Sequence, residues 1–261
     1  MKFHYAKRLE SFQAGIFAIL NEKKEELIRQ GREVYNLSVG TPDFKPAPHV
    51  MEAFQKACED PENYKYALTD MPELLDAVAG HYQKRYGVHI ERDEIMSVNG
   101  SQEGIAHIAL ALCDAGDIVL VPNPGYPIFT VGPFLCGARV ETYDLKKENN
   151  FLPDFDGIPE EVARKTKFMI VSYPLNPVCV AADDGMYERL IRFAEKYEII
   201  ILHDNAYSDI IYDGRKGGSF LAYEGAKDVG VEFYSLSKSY NLTGARISFV
   251  IGNKEIIRKF Q

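Results

Sequence analysis

The sequence predicts an α/β protein, a mainly parallel sheet flanked by helices. Two observations carry this. From residue 94 onward, short apolar runs alternate with stretches of helical spacing, the rhythm of strands joined by crossover helices. Several of those runs also end in a polar residue, as strands do at the ligand-binding edge of an open α/β sheet.

In order along the chain, residues 11–31 read as an amphipathic helix ending at Gly31. YNLSVGTPDFKPAPHV is Pro-rich and reads as extended loop. Residues 49–60 and 72–86 show helical spacing, with Pro72 suited to a first turn. The candidate strands are EIMSVN, DIVLVP, ARVETY, KFMIVSYP, IIILHD and VEFYSLS, with helical stretches at 101–113 and 184–197. After the apolar run ISFVIGN, KEIIRKFQ places Ile256, Ile257 and Phe260 on one helical face with no stop signal. It reads either as a short terminal helix or as the start of one in a longer protein.

Bulk properties narrow the function classes. With 261 residues there is room for a large domain, or a large domain plus a small one. Hydrophobic residues at 46% and charged residues at 26% fit a soluble globular protein. A net charge of −8 argues against general affinity for nucleic acid or anionic membrane, so an anionic ligand needs local donors. Cys58, Cys113, Cys136 and Cys179 lack CxxC or Cys/His spacing; the expectation is reduced thiols, a cytoplasmic location and no metal. The N-terminus shows neither a signal peptide nor a membrane span.

The chemistry gathers at the strand ends. Gly100 permits a tight turn before the helix that Ser101 and Gln102 open, and a helix N-terminus offers N–H groups to an anion, although Ser is also an ordinary N-cap. Asn176 ends KFMIVSYPLNP, where Asn-Pro is equally a turn initiator. Asp204 ends IIILHD, a poorly solvated carboxylate that wants a cationic partner, or else an N-cap or ion-pair member; Tyr207 follows three residues later. Tyr126, in NPGYPIF, reads as a loop aromatic. SLSKSYNLTGAR (residues 235–246) follows an apolar strand directly. Its hydroxyls at Ser235 and Ser237, with Arg246 eight residues beyond Lys238, make a phosphate cradle, and a desolvated or cation-flanked lysine is a nucleophile toward an aldehyde.

SLSKSYNLTGAR resembles the Schiff-base lysine signature of the class I/II aminotransferases, the fold-type-I pyridoxal-phosphate (PLP) enzymes similar to aspartate aminotransferase. VGTPDF resembles the substrate-loop motif of that family, YPLNP its Asn-Pro motif, and HDNAYSDIIYDG the motif with the pyridine-nitrogen aspartate, all in the same order over nearly the whole chain. The wording leans toward the subgroup resembling LL-diaminopimelate and aspartate aminotransferases.

The resemblance implies pyridoxal 5'-phosphate as cofactor and roles for named residues. Lys238 would carry the cofactor as an internal aldimine and afterwards move the proton. Asp204 would keep the pyridine nitrogen protonated, and Tyr207 and Asn176 would hydrogen-bond the 3′-oxygen. Tyr126 would stack on the ring. Gly100, Ser101, Gln102, Ser235, Ser237 and Arg246 would form the phosphate site. Tyr66, in NYKYALTD, would reach the phosphate of a neighbouring subunit, implying a homodimer. Gly40, with Asn176, would lie near the substrate, an amino acid exchanging its amino group with a 2-oxo acid. Residues 1–48 would then be an N-terminal helix and substrate-loop segment, and 49–261 the large PLP-binding domain. The small domain, with its carboxylate-clamping arginine, would lie beyond the residues of this sequence, leaving the substrate site incomplete.

Two positions depart from the family. Met71 stands where Gly is common and Val178 where Thr is. Three other functions compete with amino-group transfer. A PLP-dependent C–S β-lyase needs the same cofactor site. A non-catalytic PLP-binding module of a transcription regulator would have a basic or helix-turn-helix segment before residue 94, and a Rossmann dehydrogenase would have GxGxxG after its first strand. Neither feature is seen.

Overall fold

The computed structural model describes residues 1–11, 16–212 and 214–261. Residues 12–15 of the expected first helix, and Asp213 of HDNAYSDIIYDG, lie outside them. The chain divides into two compact units, Met1–Asp43 and Phe44–Gln261.

The first unit holds a 3-10 turn at Lys7–Ser11 and helix α1 (Ile16–Arg29). Lys23 and Glu26 pair across one turn of α1 at 2.8 Å. Beyond it the backbone is irregular to the end of the unit.

The second unit begins with α2 (Pro48–Glu59) and α3 (Pro72–Tyr86), each opened by a proline in its first turn, where the missing N–H costs nothing. The sheet strands are β1 (Ile95–Val98), β2 (Ile118–Asn123), β3 (Arg139–Asp144), β4 (Thr166–Ser172), β5 (Ile200–Asn205), β6 (Gly230–Ser235) and β7 (Ser248–Gly252). Between and after them come α4 (Ser101–Leu112), α5 (Ile128–Leu135), α6 (Glu160–Ala163), α7 (Asp184–Tyr197), α8 (Ala226–Val229), α9 (Leu236–Ser239) and α10 (Lys254–Phe260).

The seven strands lie in the order β1-β7-β6-β5-β4-β2-β3. The pairs from β6 through β3 are parallel, and β7 runs antiparallel to both of its neighbours. The expected mainly parallel sheet flanked by helices is therefore present, with one reversed strand formed by ISFVIGN, which the sequence had marked only as an apolar run. β4, β5, β6 and β7 are buried along nearly their whole length, and their Phe, Ile, Val and Leu side chains form the centre of a core completed by the other strands and the flanking helices.

One expected strand ends early. VEFYSLS stays extended only to Ser235; Leu236 onward turns into α9, because the Ser235 hydroxyl caps that turn by accepting the Ser237 N–H at 3.2 Å. KEIIRKFQ is helical as α10, capped by Asn253, whose side chain accepts from the Glu255 and Ile256 N–H groups.

Candidate active site

Topology sets the position of the site. The chain leaves β2 toward β3 on one side and leaves β4 toward β5 on the other, so β2 and β4, adjacent in the sheet, form a switch point where the crossovers diverge. β1, β2, β4, β5 and β6 all point their carboxyl ends to this edge. Because β7 is reversed, its beginning lies at the same edge, and Arg246 stands just ahead of it. A residue far from β1 in sequence is thereby brought to the loop that follows β1.

A cavity of about 150 Å³ opens there, lined by Ser101, Gln102, Tyr126, Ser172, Asn176, Asp204, Ala206, Tyr207, Ser235, Ser237, Lys238, Thr243 and Arg246. Ten of these are residues the sequence had singled out. Ser172, Ala206 and Thr243 are additions. Ser172 is the last residue of β4 and is paired in register with Asp204, a strand-end hydroxyl of the kind sought elsewhere. Thr243 sits inside SLSKSYNLTGAR with no role assigned to it. Ala206 has no side-chain signal to find.

One end of the cavity is built to receive an anion. Gly100 precedes α4 at φ +98, and a Cβ there would lie 1.9 Å from Arg246 Nη2, so only glycine lets the guanidinium come this close to the helix N-terminus. Arg246 donates from Nη1 to the Thr243 carbonyl at 2.9 Å and from Nη2 to the Asn99 carbonyl at 3.3 Å. A guanidinium carries five N–H donors, so this double anchoring leaves it at the cavity with donors to spare. Ser235 Oγ receives both the Ser237 N–H and, at 2.9 Å, the Ser248 hydroxyl; its own proton remains to donate. Gln102 lies at the rim, where its Oε1 accepts from Tyr126 Oη at 3.2 Å, linking α4 to the loop after β2.

The same cavity holds a buried carboxylate. Asp204 is 7% exposed, and its Oδ1 has no hydrogen-bond partner in the chain. The carboxylate accepts from the Ala206 N–H, yet burial pushes its pKa up to about 6. The cationic partner expected for Asp204 is not supplied by its neighbour in sequence. His203 points to the other face of the sheet, where its Nδ1 meets Glu232 at 2.9 Å.

Lys238 also lines the cavity, and burial and the nearby Arg246 charge lower its pKa, which favours a neutral, nucleophilic amine. Lys238 is the third residue of α9 rather than a strand end. Asn176, after β4, hydrogen-bonds the Tyr207 hydroxyl, and burial with the nearby Asp204 raises the tyrosine's pKa. Tyr126 is raised in the same way. Tyr66 is 96% exposed on the segment before α3, and Gly40 belongs to the first unit, exposed in its irregular stretch.

Residues 32–261 match the family model described as aminotransferase class I and II. An LL-diaminopimelate aminotransferase of Aquifex aeolicus is 44% identical over 257 residues, covering 98% of this chain and 66% of that protein. The structure of apo-BacF from Bacillus subtilis superposes with a TM-score of 0.95 at 35% identity, covering 100% of this chain and 66% of BacF. A probable N-succinyldiaminopimelate aminotransferase from Thermus thermophilus follows at 0.89 and 35%, with 94% and 67% covered. The chain thus spans about two thirds of the length of these relatives. Among the described residues no helix is long and apolar enough to cross a membrane.

Proposed function

This chain belongs to the class I and II aminotransferase family, and from that premise we propose that it holds pyridoxal 5'-phosphate on Lys238 and serves amino-group transfer between an amino acid and a 2-oxo acid. The observation that carries the reading is the buried Oδ1 of Asp204, left without a partner in the cavity that Lys238 and Arg246 also line. A buried acceptor of this kind is costly unless a ligand donor meets it. A protonated ring nitrogen is such a donor, and the Gly100–Arg246 cradle suits the phosphate of the same molecule.

When bound, this cofactor supplies an aldehyde that condenses with an amine, releasing water, and a ring that withdraws electrons from the attached carbon. The residues divide the remaining work. Asp204, ionised opposite a cation, would hold the ring nitrogen protonated. Tyr207 and Asn176, which interact with each other, would hydrogen-bond the ring oxygen. Tyr126 would cover one ring face, and Gly100, Ser101, Gln102, Ser235, Ser237 and Arg246 would hold the phosphate. With the cofactor bound, the Lys238 amine would be placed to take the proton from the α-carbon of the amino acid and to return it two atoms away, beyond the imine nitrogen.

Gly40 would lie by the substrate carboxylate, and Tyr66 would act in the neighbouring copy of a homodimer, a role suited to a side chain 96% exposed in one chain. The names of the relatives point to a diamino dicarboxylic acid as amino donor.

The test is spectroscopic. Purified chain mixed with PLP is expected to show a visible absorbance band that borohydride bleaches, leaving a stable adduct on the Lys238 peptide by mass spectrometry; Lys238→Ala lacks both. A panel of amino acids that includes LL-diaminopimelate should then convert the band to that of the aminated cofactor, reversed by a 2-oxo acid. A well-folded chain with no band would overturn the cofactor assignment, and a band indifferent to every amino acid would overturn the transfer.

A further inference from the structure

The amine of Lys238 is set by a turn too short to hold itself. α9 is four residues long, and one turn of helix is unstable in isolation because its nucleus fixes several dihedrals for a single hydrogen bond. Its own backbone supplies the Tyr240 N–H to the Leu236 carbonyl at 3.2 Å. The brace comes from outside. Ser239, the residue after Lys238, donates its hydroxyl to Asp209 Oδ2 at 2.7 Å. Tyr234, near the end of β6, donates to the same oxygen at 2.8 Å.

Asp209 is itself held from a third direction. Arg85, near the end of α3, donates from Nε to Asp209 Oδ1 at 3.0 Å. The next residue, Tyr86, meets the hydroxyl of Ser208 at 2.9 Å. Burial pushes the Asp209 pKa up, but the bonds from Ser239, Tyr234 and Arg85 outweigh it and hold the carboxyl below the usual range. It therefore stays charged, and each bond it accepts is charge-assisted. Asp209 lies in the loop after β5, two residues beyond Tyr207 and five beyond Asp204, which is in the strand itself.

We propose that Asp209 is the positioning residue of the site: through Ser239 it fixes the lysine-bearing turn in register with the end of β5 and the loop of Tyr207 that follows it, anchored on α3 by Arg85. The inference rests on the reading of Lys238 as the attachment point. The carboxylate touches neither cavity nor ligand and acts through Ser239. Its role differs from a plain surface ion pair in one respect: the bond that matters is the one to the lysine turn, not the one to Arg85.

The experiment compares the unsubstituted chain with Asp209→Ala, Asp209→Asn, Ser239→Ala and the Asp209→Ala/Ser239→Ala pair. The first readout is the rate at which the borohydride-reducible band forms on adding PLP. Asp209→Ala and Ser239→Ala should each slow it about tenfold, as loss of a bond to a charged group does. The double variant should be no slower than Asp209→Ala, because both remove one link. Asp209→Asn keeps an acceptor oxygen for Ser239 and Tyr234 and should recover most of the rate, although its pairing with Arg85 is lost. An Asp209→Asn variant as slow as Asp209→Ala, or a Ser239→Ala variant at the unsubstituted rate, overturns the proposal.

The second readout needs no cofactor. Amide exchange at Tyr240 should quicken about tenfold in both single Ala variants, while the amides of β4 stay protected. If the unsubstituted chain forms no band, the cofactor reading fails and this exchange alone decides the brace. Unchanged Tyr240 exchange then overturns it. If Asp209→Ala does not fold, Ser239→Ala, which deletes one oxygen, carries the same test.

Discussion

Two buried carboxylates on adjacent strands are treated in opposite ways. Glu232 on β6 is fully buried and saturated with donors: Tyr82 Oη at 2.7 Å, Ser219 Oγ at 2.8 Å, Asn205 Nδ2 and the Phe220 N–H at 2.9 Å, and His203. Burial pushes its pKa up, but these bonds and the His203 charge bring it below the ordinary value. Asp204 on β5, one residue from His203, points to the other face, keeps an unpartnered oxygen, and is raised to about 6. Burial alone therefore does not mark a functional acid. What separates the two is whether the chain completes the hydrogen bonding itself, as at Glu232, or leaves it to be completed, as at Asp204.

The largest break in the comparison is at Glu232. Removing one partner of a buried charge cluster strands the others, so Glu232→Gln should cost roughly 3–5 kcal/mol in chemical denaturation. Asp204→Asn should instead leave the cofactor-free chain as stable as before, or more so, at pH 7. Equal losses at the two positions would erase the distinction.

Next in size is a pH term that belongs to Asp204. Its pKa in the fold, about 6, lies above the ordinary 3.8. Protons bind more tightly to the folded chain, so the stabilisation is complete below the unfolded value and is lost as the pH rises through 6. The shift corresponds to about 3 kcal/mol. Denaturation of the cofactor-free chain between pH 4 and 7 should show this decline and Asp204→Asn should flatten it; a slope that survives the substitution refutes the assignment. Glu232 acts with the opposite sign. Its lowered pKa gives stability that is present above the unfolded value and lost as the pH falls through the folded one.

Smaller effects sharpen the contrast. Arg246→Ala should weaken PLP binding about thirtyfold, near 2 kcal/mol, by equilibrium titration, with little change in the stability of the cofactor-free chain. Tyr82→Phe removes one of the donors to Glu232 and should cost about 1 kcal/mol in denaturation while leaving cofactor affinity alone. A Tyr82→Phe variant that binds PLP worse would mean that the two faces of the sheet are coupled.

Much of the fold was legible in the chain because its signals are local. The helices at 49–60 and 72–86 show in apolar spacing and in a proline at the first turn, and the crossover rhythm after residue 94 shows the parallel sheet. The run 235–246 also reads directly, because its hydroxyls, lysine and arginine lie within one short segment. Tertiary structure alone decided three things. The reversed β7 carries Arg246 back to the loop after β1, a pairing of residues 147 positions apart that no window of sequence reveals. The Ser235 cap ends β6 early and puts Lys238 on a helical turn that Asp209 and Arg85 brace from two other segments. The fate of each buried acid followed from long-range burial and register: His203 and Glu232 meet because their strands align them, while Asp204, alternating to the other face, is left with an oxygen to fill. Spacing is a property of neighbours in the chain and can be read there, whereas desolvation and hydrogen-bond completion depend on what the rest of the chain brings alongside.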